Sequence, residues 1–354
     1  MRISAAISAI GLAMCAVGGG TVHCQEPTFG TQIEVRRVLI DVRVIHHDGT
    51  AVAGLAPEDF LVSIDGSRVE VEAVDWISGK AVLETTTDAP VDIDPAGGED
   101  RAPPHRRLIV MLFQKDFQLA RLRGLYRVSD PAVDLARDLG GEDLVAVAVF
   151  GSHLQLHSDF TNRHDMLEDI LTVPEIFSDK QSLGQVPGFS VAEHLDIQRA
   201  RKATNLSEAL ATLGEALAHI EGPKTLVLFG WGIGTYQGKM GVVTMDREYV
   251  EALRTLAKAR VTVFALDITD ADYHTLEEGL LKLTDDTGGL YIKAHQFPEV
   301  ATRKLGKMLA GSYQLTLVPP VDLEEDFRVR VRVTQPGTEV YVRRWNFLPD
   351  DSED

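Results

Sequence analysis

Six apolar residues, Leu108 to Phe113, run straight into the polar stretch Gln114-Lys115-Asp116-Phe117-Gln118. An apolar run that stops abruptly on polar side chains is how many α/β folds present a ligand at the end of a strand. Other chemistry-bearing groups are weaker. GWGIGTYQG, Gly230 to Gly238, also follows an apolar run, but its glycines miss the dinucleotide-binding spacing. His46-His47-Asp48 and the pair His153 and His157 lack a third metal ligand nearby, so solvated histidines are expected there. Glu58-Asp59, Asp285-Asp286 and Glu324-Glu325 read as solvated helix ends and loops, with no general acid or base role. The chain has no Gly-x-Ser-x-Gly, His-Glu-x-x-His or Cys-x-x-Cys pattern, so nothing marks it as a hydrolase or a thiol enzyme.

The 354 residues are enough for two modest cores, and 44% hydrophobic with 25% charged residues is an ordinary globular composition. Residues 1–24 begin with Arg2 and continue through a short apolar stretch, the pattern of an export signal, with cleavage expected after Cys24. Cleavage there removes both cysteines, so the mature chain relies on packed cores even though its compartment permits disulfides. The expected location is periplasmic or extracellular. Lipid anchoring through Cys15 is the weaker alternative, because Met14 is bulky where a lipidation signal wants a small residue. A formal charge of −18, from 35 Lys and Arg against 53 Asp and Glu, argues against nucleic acid and anionic lipid as partners. No integral membrane span is expected in the mature chain.

The elements that must position Gln114–Gln118 follow from periodicity. Residues 31–82 alternate apolar and polar in short runs split by the Asp-Gly turns HDGT and IDGS, with APEDF as a short helical turn that inserts Phe60. Residues 83–105, with four prolines and scattered acids, read as a linker. Residues 106–310 then repeat strand and helix. Strands are expected at Leu108–Phe113, Leu144–Phe150, Leu154–Phe160, Thr225–Phe229, Val261–Leu266 and Leu290–Lys293. One helix is expected to start at Asp130-Pro131, and part of the long insertion Thr172–Ala203, over Val191–Arg201, is expected to be helical. Residues 311–348 return to β alternation, the last two runs being expected to pair as a hairpin with Val329, Val331 and Val333 inward and the arginines solvated. The fold class is therefore α/β: a doubly wound, mostly parallel sheet inserted into a β-sandwich built from the strands at both ends.

This order of parts resembles the von Willebrand factor type A domain family, and more narrowly the exported bacterial VWFA-related proteins known especially from acidobacteria. VLIDVRVIHHDGTAVAGLAPEDFLVSIDGSRVEV is similar to that group's N-terminal β module with its Gly-Leu-x-x-x-Asp-Phe core. RRLIVMLFQKDF, NLSEALATL and KTLVLFGWG fall at the first strand, central helix and fourth strand of the A domain. VTVFALD, LTDDTGGLYI and SYQLTLVPP match its closing strands and exit.

The resemblance implies a metal-ion-dependent adhesion site at the strand ends: Asp-x-Ser-x-Ser after the first strand, a Thr in a second loop and an Asp after the fourth strand, holding Mg²⁺ or Mn²⁺. This chain departs from that pattern. Gln114, Asp116 and Gln118 stand on the first-loop ligand positions with Lys115 between them. Thr204 matches the second loop but is equally an ordinary residue for a helix start. Gly230 and Trp231 stand where the third loop needs an acid. The expectation is no cofactor and a degenerate site, used by a non-enzymatic module to bind another extracytoplasmic protein. The contact surface is expected to comprise Gln114, Lys115, Asp116, Phe117, Gln118, Thr204 and Trp231, the aromatic Trp231 serving as anchor or folding back onto the Thr172–Ala203 insertion. The alternative is an Mg²⁺- or Mn²⁺-dependent adhesion module that uses Asp116 and Thr204. A secreted hydrolase is the third reading.

Overall fold

Every second side chain of Val38–His46 (β1) turns inward, and this alternation builds the first layer of the computed structural model. The structure describes residues 37–78, 106–178, 186–320 and 322–348; the expected leader and the linker at 83–105 lie outside them. A 3₁₀ turn at Pro57–Asp59 delivers the buried Phe60 into β2 (Phe60–Ile64), and the Asp65-Gly66 turn leads to β3 (Ser67–Ser78). The α/β segment follows in chain order. It comprises β4 (Leu108–Gln114), α1 (Leu119–Asp138), β5 (Leu144–Phe150), β6 (Leu154–Thr161), α2 (His164–Ile170), α3 (Val173–Phe177), α4 (Ile197–Lys202) and α5 (Leu206–Ala218). It continues with β7 (Lys224–Gly230), β8 (Thr235–Gln237), β9 (Val242–Thr244), α6 (Tyr249–Lys258), β10 (Val261–Asp267), α7 (Glu277–Thr287), β11 (Tyr291–Lys293) and α8 (Pro298–Met308). Four more strands close the described chain: β12 (Gly311–Val318), β13 (Asp326–Val333), β14 (Thr338–Val342) and β15 (Trp345–Phe347).

β4, β5 and β7 are buried at all seven positions, which is why they read as unbroken apolar runs. They lie in a six-stranded sheet of order β11-β10-β7-β4-β5-β6, parallel except for β6 at the edge. The first strand of the segment is thus central, and its C-terminal end opens at the middle of the sheet. Both faces are covered. Leu206, Leu210 and Leu213 of α5, with Leu256 of α6 and Leu280 of α7, belong to one apolar core, and Leu125, Val128 and Leu135 of α1, with Leu305 of α8, to the other.

Three expectations about the elements need correction. The helix expected at Asp130-Pro131 begins at Leu119, and Pro131 lies buried within it. The apolar spacing Leu125, Val128, Ala132, Leu135 runs through the proline, so the packed face outweighs the lost N–H. The strands from both ends form one seven-stranded sheet, β14-β1-β12-β3-β2-β13-β15, instead of the two separate sheets of a sandwich. β3 is the reason: Ser67–Val69 pair with β2 and Glu70–Ser78 with β12, so one long strand carries the sheet around a common core of Ile40, Val42, Phe60, Val62, Leu315 and Val329. The expected hairpin of the last two runs forms only in part: Trp345–Phe347 at the end of the last run pairs with β13, but the strand that follows the tight turn does not. β13 lies between β2 and β15, with Val329 and Val331 buried and Arg328, Arg330 and Arg332 exposed, while the Gln335–Thr338 turn carries β14 across to the open edge of β1.

The insertion at 172–203 is helical over Ile197–Lys202, a shorter stretch than Val191–Arg201, and also over Val173–Phe177. Asp159 on the edge strand β6 is fully buried and anchors it, accepting bonds from the Ser190 hydroxyl (2.6 Å) and the Val191 N–H (2.7 Å). His157, expected to be solvated, is buried beside it on β6. Asp286 is also buried, accepting from Tyr249 Oη at 2.7 Å and Lys282 Nζ at 2.8 Å.

Candidate functional site

Gln114 closes β4 and is 2% exposed. Its Oε1 accepts the backbone N–H of Trp231 at 2.9 Å and that of Gly232 at 3.3 Å, and its Nε2 donates to the Gly232 carbonyl at 2.9 Å. Both polar atoms of the amide are therefore engaged in tying the exit of β4 to the exit of β7. A carboxylate here could accept the two N–H bonds but could not donate to the carbonyl.

Asp116 is committed in the same way. Its Oδ1 accepts the Gln118 N–H at 2.8 Å, and its Oδ2 pairs with the guanidinium of Arg121, one turn into α1. Arg121 sits over the Trp231 indole, its Cζ 3.4 Å from the ring centroid. The loop's carboxylate is neutralised by a cation of the protein itself, and that cation is desolvated on one side by an aromatic face. Trp231 is half-buried and packs against the α1 core, its Nε1 buried without a hydrogen-bond partner.

Lys115 donates its backbone N–H to the Phe150 carbonyl (2.8 Å) and its ammonium to Gln155 Oε1 (3.3 Å), and reaches over the Phe177 ring. Phe117 touches the same ring, centroids 5.2 Å apart, yet is 81% exposed. Gln118 is exposed at the start of α1 and makes no side-chain cap bond. Thr204 is exposed and donates both its N–H (2.6 Å) and its hydroxyl (3.1 Å) to the Glu208 carboxylate, while Asn205 accepts the Glu208 N–H at 2.9 Å. Thr204 thus fastens the start of α5. The structure joins Gln114 and Asp116 to Trp231, and Lys115 to Phe117 through Phe177; these two bonds of Thr204 stay within its own helix start.

Sequence reasoning missed Arg121 and Phe177, which are distant partners of the loop with no motif of their own. It also passed over a second group at the same end of the sheet. Asp267 closes β10 and is 1% exposed; its Oδ2 accepts from Tyr291 Oη at 2.7 Å and lies 2.7 Å from His274 Nε2, while Oδ1 accepts the Thr269 N–H at 3.0 Å. Burial alone would raise the Asp267 pKa, but the bonds from His274, Tyr291 and Thr269 outweigh it and hold the carboxyl below its ordinary range. Burial and the Asp267 charge keep the Tyr291 phenol protonated. The signal was the same one that marked Gln114: a polar residue ending the apolar run VTVFALD, with His and Glu within ten residues.

Close backbone approach places these loops. A Cβ on Gly124 of α1 would stand 1.6 Å from the Ile268 carbonyl oxygen, and one on Gly279 of α7 would stand 2.0 Å from that of Ile233. Only glycine lets α1 and α7 reach the strand exits this closely.

No protein-family model matches the chain, and no curated protein does. Solved structures with some likeness include the von Willebrand factor type A protein from Catenulispora acidiphila, at 10% identity over 89% of this chain and 74% of that one, TM-score 0.40. An aerotolerance-related membrane protein from Bacteroides fragilis is similar at 10% identity over 57% of this chain and 98% of its own, TM-score 0.37. The PilB minor pilin from Streptococcus sanguinis is similar at 14% identity over 59% of this chain, TM-score 0.34, and the match spans 64% of the pilin, less than two thirds. At these TM-scores the likenesses carry no argument about the site or its use. Among the described residues no helix is long and apolar enough to cross a membrane.

Proposed function

We propose that this chain is an exported, non-enzymatic protein-binding module, with a von Willebrand factor A-like part at 106–310 and β strands at 31–82 and 311–348. Its strand-end site is a degenerate, metal-free form of the family's adhesion site. The exposure of Phe117 carries this reading. At the tip of the loop after the central strand, a phenylalanine 81% open to solvent follows Asp116, whose carboxylate is already bonded within the protein. Tyr273 and Phe297, on the loops after β10 and β11, are 64% and 65% exposed, so apolar side chains recur along the same end of the sheet. Large apolar groups that stay exposed while their polar neighbours are satisfied fit a protein partner better than a small polar ligand. Against an occupied Mg²⁺ or Mn²⁺ site stand the spent amide of Gln114, the Arg121 cation on Asp116, and Gly230-Trp231 in the third loop.

The test is capture of a partner from the native envelope fraction, compared between the wild type and Phe117→Ser, Trp231→Ala and Asp116→Ala variants. Capture is expected to fall most for Phe117→Ser; capture unchanged in all three would remove this face as the site. Millimolar Mg²⁺ or Mn²⁺ is expected to leave the melting temperature unchanged. A rise abolished by Asp116→Ala together with Thr204→Ala would establish the metal-dependent alternative instead.

A further inference from the structure

Away from the three loops just described, one group of side chains carries donors of the kind that hold a metal. Asp267, His274 and Glu277 each offer one ligand atom, and these atoms lie within 4.8 Å of one another. They come from three positions that cannot drift apart easily: the last residue of β10, the connection after it, and the first turn of α7. Glu277 is 8% exposed, and its Oε2 is buried without a hydrogen bond. Lys293 Nζ pairs with that oxygen as an ion pair at 3.1 Å, outside hydrogen-bonding geometry, and donates one of its three N–H groups to the Asp272 carbonyl at 2.7 Å. The Thr269 hydroxyl, also buried, has no partner. A buried carboxylate oxygen held by an ion pair but by no hydrogen bond keeps lone pairs free for a further ligand.

We propose that Asp267, His274 and Glu277 form a binding site for a first-row divalent transition metal of the Zn²⁺ class. An imidazole nitrogen and carboxylate oxygens are donor types that Zn²⁺ accepts, and three protein ligands leave a fourth position open. Ca²⁺ needs six to eight oxygens and Mg²⁺ an octahedron of oxygens, so a group in which one of three donors is an imidazole nitrogen suits neither. Bonds of 2.0–2.2 Å around a tetrahedral ion place ligand atoms roughly 3.3–3.6 Å apart. The 2.7 Å His274–Asp267 contact therefore has to open by only about 0.6–0.9 Å to admit the ion. Tyr291 Oη and the Thr269 N–H already orient Asp267 from behind, the support that a ligating carboxylate requires. Lys293 is 39% exposed in its side chain, so it can leave Glu277 and keep its bond to Asp272. The site shares the C-terminal end of the sheet with Phe117 but takes no ligand from the loop after β4.

Isothermal titration of Zn²⁺ into EDTA-stripped, dialysed full-length protein tests this, with Mg²⁺ as the control ion. The surface imidazoles of His194 and His219, stacked 4.6 Å apart, are the competing zinc site, so the titration is run in a His194→Ala background. One Zn²⁺ per chain is expected, with no uptake of Mg²⁺. His274→Gln and Glu277→Gln, which keep the side-chain shape, are each expected to weaken binding about tenfold or more. Lys293→Met is expected to tighten it, because the competing ammonium is gone; this residue lies outside the ligand set, so its variant reads out even where a ligand variant fails to fold. Co²⁺ is expected to give the visible absorption of a tetrahedral site and to lose it in His274→Gln. Absence of stoichiometric Zn²⁺ uptake in the His194→Ala protein, uptake unchanged in the folded His274→Gln/Glu277→Gln pair, or weaker binding in Lys293→Met each overturns the proposal.

Discussion

The two ends of the six-stranded sheet are built on opposite terms. At the N-terminal end, cations are spent on holding the α/β segment against the seven-stranded sheet. Arg43 of β1 donates to the Met308 carbonyl (3.2 Å) and the Thr225 hydroxyl (2.7 Å), Arg260 pairs with Asp41 of β1, and Arg343, after β14, donates to the Val261 carbonyl. Lys224 caps the Gly222 and Ala259 carbonyls at 2.8 and 3.0 Å. At the C-terminal end, phenylalanines and a tyrosine face solvent and a buried carboxylate oxygen has no hydrogen bond. Where satisfiable groups are satisfied, the residues serve the fold; where they are not, the protein has kept capacity for something else.

That contrast can be broken at either end. The largest effect is expected from Arg343→Ala, which leaves the Val261 carbonyl buried and unbonded where the two sheets meet. Chemical denaturation should register a loss of about 3 kcal/mol. Gln114→Ala tests whether the β4 exit belongs with the sealed end in kind. Removing the amide strands the Trp231 and Gly232 N–H groups, and a loss of about 2 kcal/mol is expected by the same measurement.

Lys224 gives a smaller, pH-dependent effect. Burial, followed by the nearby Arg260 charge, pushes its ammonium down to about 7 from 10.5. Between those values the unfolded chain binds a proton that the native state has shed, so this group makes stability rise with pH from 7 upward. In Lys224→Met the rise between about pH 7 and pH 9 should be shallower than in the wild type, read from denaturation midpoints across that range. The smallest effect is expected from Phe117→Ser. A side chain 81% exposed should change stability by less than about 0.5 kcal/mol, so any loss of partner capture in this variant reports on contact and not on folding.

How much of this could be read from the residues depends on the range of the interaction. The six apolar positions of β4, Leu108 to Phe113, and the alternation Val329, Val331 against Arg328, Arg330, Arg332 were legible, because burial on two faces or one imposes its own period, whereas the burial of Gln114 at the end of the same strand was not. The location of Gln114–Gln118 at a strand end was legible for the same reason. The length of α1 was not, since a proline at 131 normally opens a helix and only the packed core beneath it keeps it inside one. The pairing of β14 with β1 was equally hidden, because a turn specifies that the chain reverses and not which open edge it meets.

At the candidate site, local identity was enough to show that Gln114, Lys115 and Trp231 are poor metal ligands. It did not show that Arg121, five residues beyond Asp116, covers both that carboxylate and the Trp231 ring. Nor did it show that Asp267, His274 and Glu277 converge. The sequence by itself determined which residues end strands, since that is a matter of short-range hydrophobic period. Only the tertiary structure decided which of those ends are already bonded to one another, because partners more than 100 residues apart, such as Gln114 and Trp231, are set by strand order across the sheet.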